Sequence, residues 1–267
     1  MEVLEMNNIA ITILGISIIF LATTLGAAMV YLFRKDISPK LNTVLLGFAG
    51  GIMIAASIWS LIIPAIEDSA SWGTWKFVPA VAGIALGAAF MVLIDKIVPH
   101  FHQGTGEEEG LRSGLSKPTK MFLAMTIHNV PEGLAVGFAF GGAALVGTQE
   151  AFLAALGLAI GIAIQNFPEG AAVSLPMAKQ LGSKHKAFLY GAFSGAVEPI
   201  AAILGYFLAT MMAAAMPWLL AFAAGAMLFV VVEDLIPDAH LAEHPHLGTY
   251  GIIAGFILMM VLDVALG

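Results

Sequence analysis

The 267-residue chain has no cysteine, which excludes disulfides, thiolate metal ligands and a cysteine nucleophile together. Any metal site must use nitrogen, oxygen or thioether. Charge is scarce: Asp, Glu, Lys and Arg make up 11% of the chain, where a soluble domain carries about 25%. The net charge of -7 gives no support for nucleic-acid binding, and no basic amphipathic stretch suggests mere surface attachment. Met1 to Asn8 carries Glu2 and Glu5 but no Lys or Arg. The basic n-region of a cleaved signal peptide is therefore missing, and the first segment is expected to stay.

What is present is apolar: 60% of residues are hydrophobic. They fall into blocks of about 20 or more, long enough to cross a bilayer. Bounded by polar or Gly/Pro punctuation, eight spans emerge: Asn8 to Phe33, Leu41 to Ile66, Phe77 to Ile97, Met121 to Gly142, Ala151 to Met177, Ala187 to Ala215, Trp218 to Pro237 and Gly248 to Leu266. The chain reads as an all-α polytopic membrane protein, a single transmembrane domain over residues 1–267. Residues 98–120, with Gly104, Gly106 and Glu107 to Glu109, read as a flexible cytoplasmic loop between helices three and four.

The distribution of Lys and Arg tests this count. Arg34, Lys35 and Lys40 fall in the first loop, Lys96, Arg112, Lys117 and Lys120 in or beside the third, and Lys179, Lys184 and Lys186 in the fifth; Lys76 alone lies on the other side. This alternation puts the odd-numbered loops in the cytoplasm and both termini outside, in the plasma (inner) membrane. His100, His102, His185, His240, His244 and His246 then face the cytoplasm, and His128 lies inside the membrane. Glu233, Asp234, Asp238, His240, Glu243, His244 and His246 read either as an exit or sensing site or as a solvated turn.

A charge at the centre of a span costs about 2.5–3.5 kcal/mol on insertion scales, so each one calls for a partner or a function. Glu132, Glu169 and Glu198 are such residues, all about 12–17 Å deep in a ~30 Å core at 1.5 Å per residue. His128 and Asn129 lie four and three residues before Glu132; Gln165 and Asn166 stand in the same relation to Glu169, placing each set on one helix face. The segments His128-Asn-Val-Pro-Glu-Gly133 and Gln165-Asn-Phe-Pro-Glu-Gly170 are an internal duplication on antiparallel helices. Pro131 and Pro168 cannot make the usual helical bond, leaving the carbonyls of Ile127 and Ile164 without helical partners and predicting kinks at mid-membrane.

Carboxylate, imidazole and amide together suit a divalent cation such as Zn, Fe, Mn, Co or Cd. Met53, inside span two, is a candidate soft ligand, although a lone Met or His in a helix also serves plain packing. Two other classes stay open. Glu132, Glu169 and Glu198 suit a proton relay in a carrier or channel. His plus Glu beside a metal suits an intramembrane metalloenzyme, although the sequence has no His-Glu-x-x-His helix.

On these motifs, together with Glu198-Pro199 in span six, the chain resembles the ZIP (Zrt/Irt-like) divalent metal transporter family, in its compact GufA-like branch. The resemblance implies an inverted repeat of helices 1–3 and 6–8 around central helices 4 and 5, and uptake toward the cytoplasm by alternating access. It implies one ion held by His128, Glu132, Gln165 and Glu169 with Met53, and a second by Asn129, Asn166 and Glu198, with Glu132 and Glu169 bridging. Gln165 stands where many members have His, and Asn166 where some have Asp; neutral amides bind more weakly than either. The metal is thus cargo with no catalytic cofactor, and the partners are divalent ions, the lipid bilayer and, as a candidate, a second copy in a homodimer.

Overall fold

The computed structural model describes residues 2–33, 38–101, 108–240 and 245–266. Arg34, Lys35, His102, Gly104, Gly106, Glu107, Glu243 and His244 lie outside the described residues, as do the side chains of Glu2, Glu5, Asp238 and His240. Among the described residues eight helical spans are long and apolar enough to cross a membrane: Asn7–Leu32, Pro39–Glu67, Val78–Ile97, Lys117–Val146, Gln149–Leu181, Lys184–Met211, Ala213–Leu235 and His246–Leu266. The all-α polytopic fold expected from the apolar blocks is the fold found.

Local chemistry explains where the spans begin and end. Ser38, Ser116, Thr148 and Ser183 each accept a backbone N–H three residues on, supplying the first turn with an acceptor that lipid cannot provide. Gly147 and Gly182 terminate spans four and five in the left-handed region, at φ 76° and 61°. Because the caps lie in the loops, spans four and five are longer than their apolar cores.

The expected disruption at Pro131 and Pro168 is not where helical geometry changes; both spans stay α-helical through these residues. It changes in spans two and seven, where Ser57–Ile62 and Val231–Leu235 are π-helical. Each π segment precedes a proline, Pro64 or Pro237. A wider i→i+5 turn reassigns the backbone bonds just before a residue that has no N–H: Ile63 donates to the Ile58 carbonyl and Ile236 to that of Val231.

The spans pack mainly as pairs: one with five, four with six, two with eight and three with seven. If spans one to three correspond to six to eight and four to five, the first two pairs exchange and so do the last two. The matched π segments carry the same relation, as do Met91-Val-Leu-Ile-Asp95 in span three and Met260-Val-Leu-Asp263 in span eight. Spans one, four, five and six form one bundle, and spans two, three, seven and eight the other.

Two glycines of the first bundle stand hard against a neighbouring backbone beside the motif carboxylates. A Cβ on Gly133 would collide with the Glu198 carbonyl, and one on Gly170 with the Thr23 carbonyl. These are the glycines that follow Glu132 and Glu169. The glycine that ends each motif thus admits a neighbouring helix beside each carboxylate.

Within 98–120, the described residues include a short strand pair. His100–Phe101 (β1) pairs antiparallel with Glu108–Glu109 (β2). Phe101 is buried in a small apolar cluster with Val30, Met121 and Ala187. Lys120 Nζ lies 2.6 Å from Glu108 Oε2, and Lys117 Nζ sits 4.0 Å above the Phe101 ring.

Candidate metal centre

Spans one, four, five and six bring the duplicated motifs and Glu198 into one buried layer. Glu132, Gln165 and Glu198 are 0% exposed, Asn129 and Asn166 1%, and Glu169 4%. Glu132, Glu169 and Glu198 lie near enough to repel one another. Helix register delivers Glu132 and Glu169, and the close approach at Gly133 delivers Glu198.

Hydrogen bonds divide this layer. Each oxygen of Glu198 has a donor: Thr23 Oγ1 donates to its Oε1 at 2.7 Å and Asn166 Nδ2 to its Oε2 at 2.7 Å. Asn166 must present nitrogen to that carboxylate, so its Oδ1 faces Gln165 and accepts from Gln165 Nε2 at 2.9 Å. This fixes Gln165 as well, and its Oε1 is buried with no hydrogen-bond partner. Both oxygens of Glu132 are buried without one too; Gln165 stands close to Glu132, short of good hydrogen-bond geometry. Three acceptor oxygens on two facing helices therefore have no donor. Asn129 is turned to span six, its Nδ2 donating to the Ser194 carbonyl at 3.0 Å.

His128, expected beside Glu132, reaches across to the other bundle. Its Nε2 lies 3.1 Å from Asp234 Oδ2, in the π segment of span seven. Asp95, in span three, feels the charges of His128, Asp234 and His100, and its Oδ1 is 3.8 Å from His100 Nε2. His128, Asp234, Asp95 and His100 thus run as a polar track toward the face of the odd-numbered loops. Met53 is fully buried in the main apolar cluster, its carbonyl accepting from Ser57 Oγ at 2.7 Å. Among the described residues no three His, Asp or Glu side chains stand preassembled as a metal cage, since Glu198 and His128 are held by protein partners.

On the face that carries both termini a cavity of about 880 Å³ opens between the two bundles. Glu67, Asp68, Ser60 and Asp263 line it, and Ser60 donates to Asp263. Partial burial and then the neighbouring Glu67 charge push the Asp68 carboxyl above its ordinary value. Phe138 and Leu158 lie at the wall of this cavity, on the terminal side of the motif residues, so the carboxylate layer is shielded from it.

Sequence reasoning missed Thr23, Asp95, Ser60 and Asp263. Thr23 is one hydroxyl within a long apolar run and leaves no pattern. Asp95 and Asp263 lie near helix ends, where an acid reads as interfacial, but their shared Met-Val-Leu context is a repeat that could have exposed them.

A ZIP zinc transporter family model matches residues 118–263 of the chain. The human zinc transporter ZIP11 is 36% identical, over 92% of this chain and 94% of its own length. The zinc transporter ZIPB of Bordetella bronchiseptica is 37% identical, over 97% of this chain and 82% of its own. The zinc transporter GufA of Myxococcus xanthus is 34% identical, over 92% and 95%. With two antiparallel Pro-Glu-Gly helices at the heart of an eight-span bundle, and similarity that runs along nearly the whole length, the chain belongs to the ZIP zinc transporter family, whose members are transporters rather than enzymes.

Proposed function

We propose that the chain carries Zn²⁺ across the plasma membrane toward the cytoplasm by alternating access, with Cd, Fe, Mn and Co as lesser cargo. The observation that carries this reading is the trio of buried acceptors without donors, Glu132 Oε1, Glu132 Oε2 and Gln165 Oε1. Unpaired buried acceptors cost about 1–3 kcal/mol each, and more when charged. A cation satisfies all three at once. Glu169, adjacent in the layer, adds a fourth ligand and brings the negative charge that a divalent ion neutralises.

His128 completes this first position on the span-four side. A neutral imidazole whose Nε2–H donates a hydrogen bond to Asp234 keeps Nδ1 as its lone-pair nitrogen, and a carboxylate behind a ligating His raises its basicity. Met53 approaches from span two. A second ion at Asn129, Asn166 and Glu198 requires the two amides to exchange present hydrogen bonds for metal, so it fills after the first.

The polar groups are ordered along the path. Acids meet the ion in the terminal-face cavity, which in this reading is external; the carboxylate layer holds it, and His128, Asp234, Asp95 and His100 offer successive ligands toward the cytoplasmic loops. Uptake of ⁶⁵Zn into proteoliposomes tests the reading. Glu132→Ala and Glu169→Ala should each abolish it; wild-type rates in both variants would refute it.

A further inference from the structure

Thr23 belongs to neither motif, yet it touches the layer from span one. Its side chain has two ends with different neighbours. The hydroxyl lies 2.7 Å from Glu198 Oε1 and 3.2 Å from the Ile19 carbonyl. The methyl packs toward Gly195, where an added Cβ would stand 2.7 Å from Thr23 Cγ2 and 3.1 Å from Glu198 Oε1. Gly170 and Gly26 hold span one against span five at the same level, Gly170 under the Thr23 carbonyl and Gly26 under that of Phe167. Thr23 is 2% exposed, so water does not replace its donor.

We propose that Thr23 is a positioning residue of the cargo centre, its hydroxyl fixing the Glu198 carboxylate in the layer of Glu132 and Glu169. Glu198 is tethered from two different helices: Oε1 by Thr23 of span one, and Oε2 by Asn166 of span five. The Ile19 carbonyl, one turn before Thr23, lies 3.4 Å from the same Asn166 Nδ2. Span one therefore braces both tethers. An ionised carboxylate has about four lone-pair directions, so two bonds fix its plane and leave one direction on each oxygen for an ion. Without the Thr23 donor the carboxylate pivots about the Asn166 bond and loses its aim. Partners of this kind behind a ligand typically contribute 10–100-fold in metal affinity.

This proposal rests on the reading of the layer as the cargo site, and the two are separable by experiment. Zn²⁺ affinity is measured by calorimetry on the full-length detergent-purified chain, and the KM for Zn²⁺ from initial uptake in proteoliposomes. Thr23→Val keeps the methyl and loses the hydroxyl; Thr23→Ser does the reverse. Positioning predicts that Thr23→Val raises the Kd of the second, Glu198-bearing Zn²⁺ step, and with it the KM, about ten-fold or more with its melting temperature close to wild type, and that Thr23→Ser recovers most of the affinity. A packing role predicts the opposite order, and finding Thr23→Ser the worse binder overturns the proposal. In a Glu198→Gln background, Thr23→Val should add about two-fold or less, because it acts through Glu198; an undiminished effect there also overturns it. If Glu132→Gln binds Zn²⁺ like the wild type, the cargo-site reading falls and takes this proposal with it. If Glu132→Gln abolishes binding while both Zn²⁺ steps of Thr23→Val match the wild type, the positioning proposal alone falls.

Discussion

His128 Nε2 stands 3.1 Å from Asp234 Oδ2, and this contact joins the bundle that bears the carboxylate layer to the bundle that does not. Asp234 orients the imidazole in the same way that an outer carboxylate orients a metal-bound histidine. Asp234→Asn should therefore lower Zn²⁺ uptake about 10–100-fold while the protein remains folded. Uptake kinetics together with size-exclusion behaviour check this, and an Asp234→Asn variant at full activity would remove Asp234 from the path.

Glu132 should show a stability–function exchange. Its two oxygens are buried without donors, so in metal-free protein Glu132→Gln should raise stability by about 1–3 kcal/mol. Zn²⁺ at about 100 times its Kd should stabilise the wild type by about 2.7 kcal/mol and this variant by almost nothing. Thermal melts with and without Zn²⁺ measure both effects. A variant less stable than wild type in chelator would contradict the account of these oxygens.

Gly133→Ala and Gly170→Ala put a methyl against a neighbouring helix's backbone, which cannot rotate aside. The expected cost is about 1–3 kcal/mol or more, outweighing the roughly 1 kcal/mol that Ala gains over Gly in a helix. Gly114→Ala, whose Cβ would meet nothing within 4 Å, is the matched control, expected within about 0.5 kcal/mol of wild type. Equal melting temperatures for all three variants would show that the bundle yields easily.

Asp68 supplies a pH-dependent test. Partial burial and Glu67 raise its folded-state pKa, so its ionised form opposes folding. That loss is absent below the ordinary carboxylate range, near 3.8, and develops as pH rises through the raised folded value. Asp68→Asn should thus stabilise the protein at neutral pH by less than about 1 kcal/mol, since the group is partly exposed, and should converge with wild type in acid. Melting temperature against pH for both proteins reads this directly.

The sequence made the eight spans legible because lipid imposes long apolar runs, and the centre because carboxylates inside such runs are conspicuous. Glu132, Glu169 and Glu198 were placed at one depth by helical rise alone, and the structure brings them into one layer. The bond pattern was not legible. Which end of its amide Asn166 presents depends on Glu198, which lies 32 positions away, and so does the orientation of Gln165. The turn of Asp234 toward His128 was hidden for another reason: it lies in a π segment, whose register differs from the 3.6-residue period used to assign faces. Proline's missing N–H predicted kinks at Pro131 and Pro168, whereas the π geometry arises before Pro64 and Pro237.

All four tryptophans, Trp59, Trp72, Trp75 and Trp218, lie toward the terminal face, and three of them line its cavity. None belongs to the carboxylate layer. The protein's tryptophan emission therefore reports optically on that face alone: an aqueous quencher would register the cavity opening or narrowing, while an ion settling beside Glu132 would be seen only through the movement it transmits.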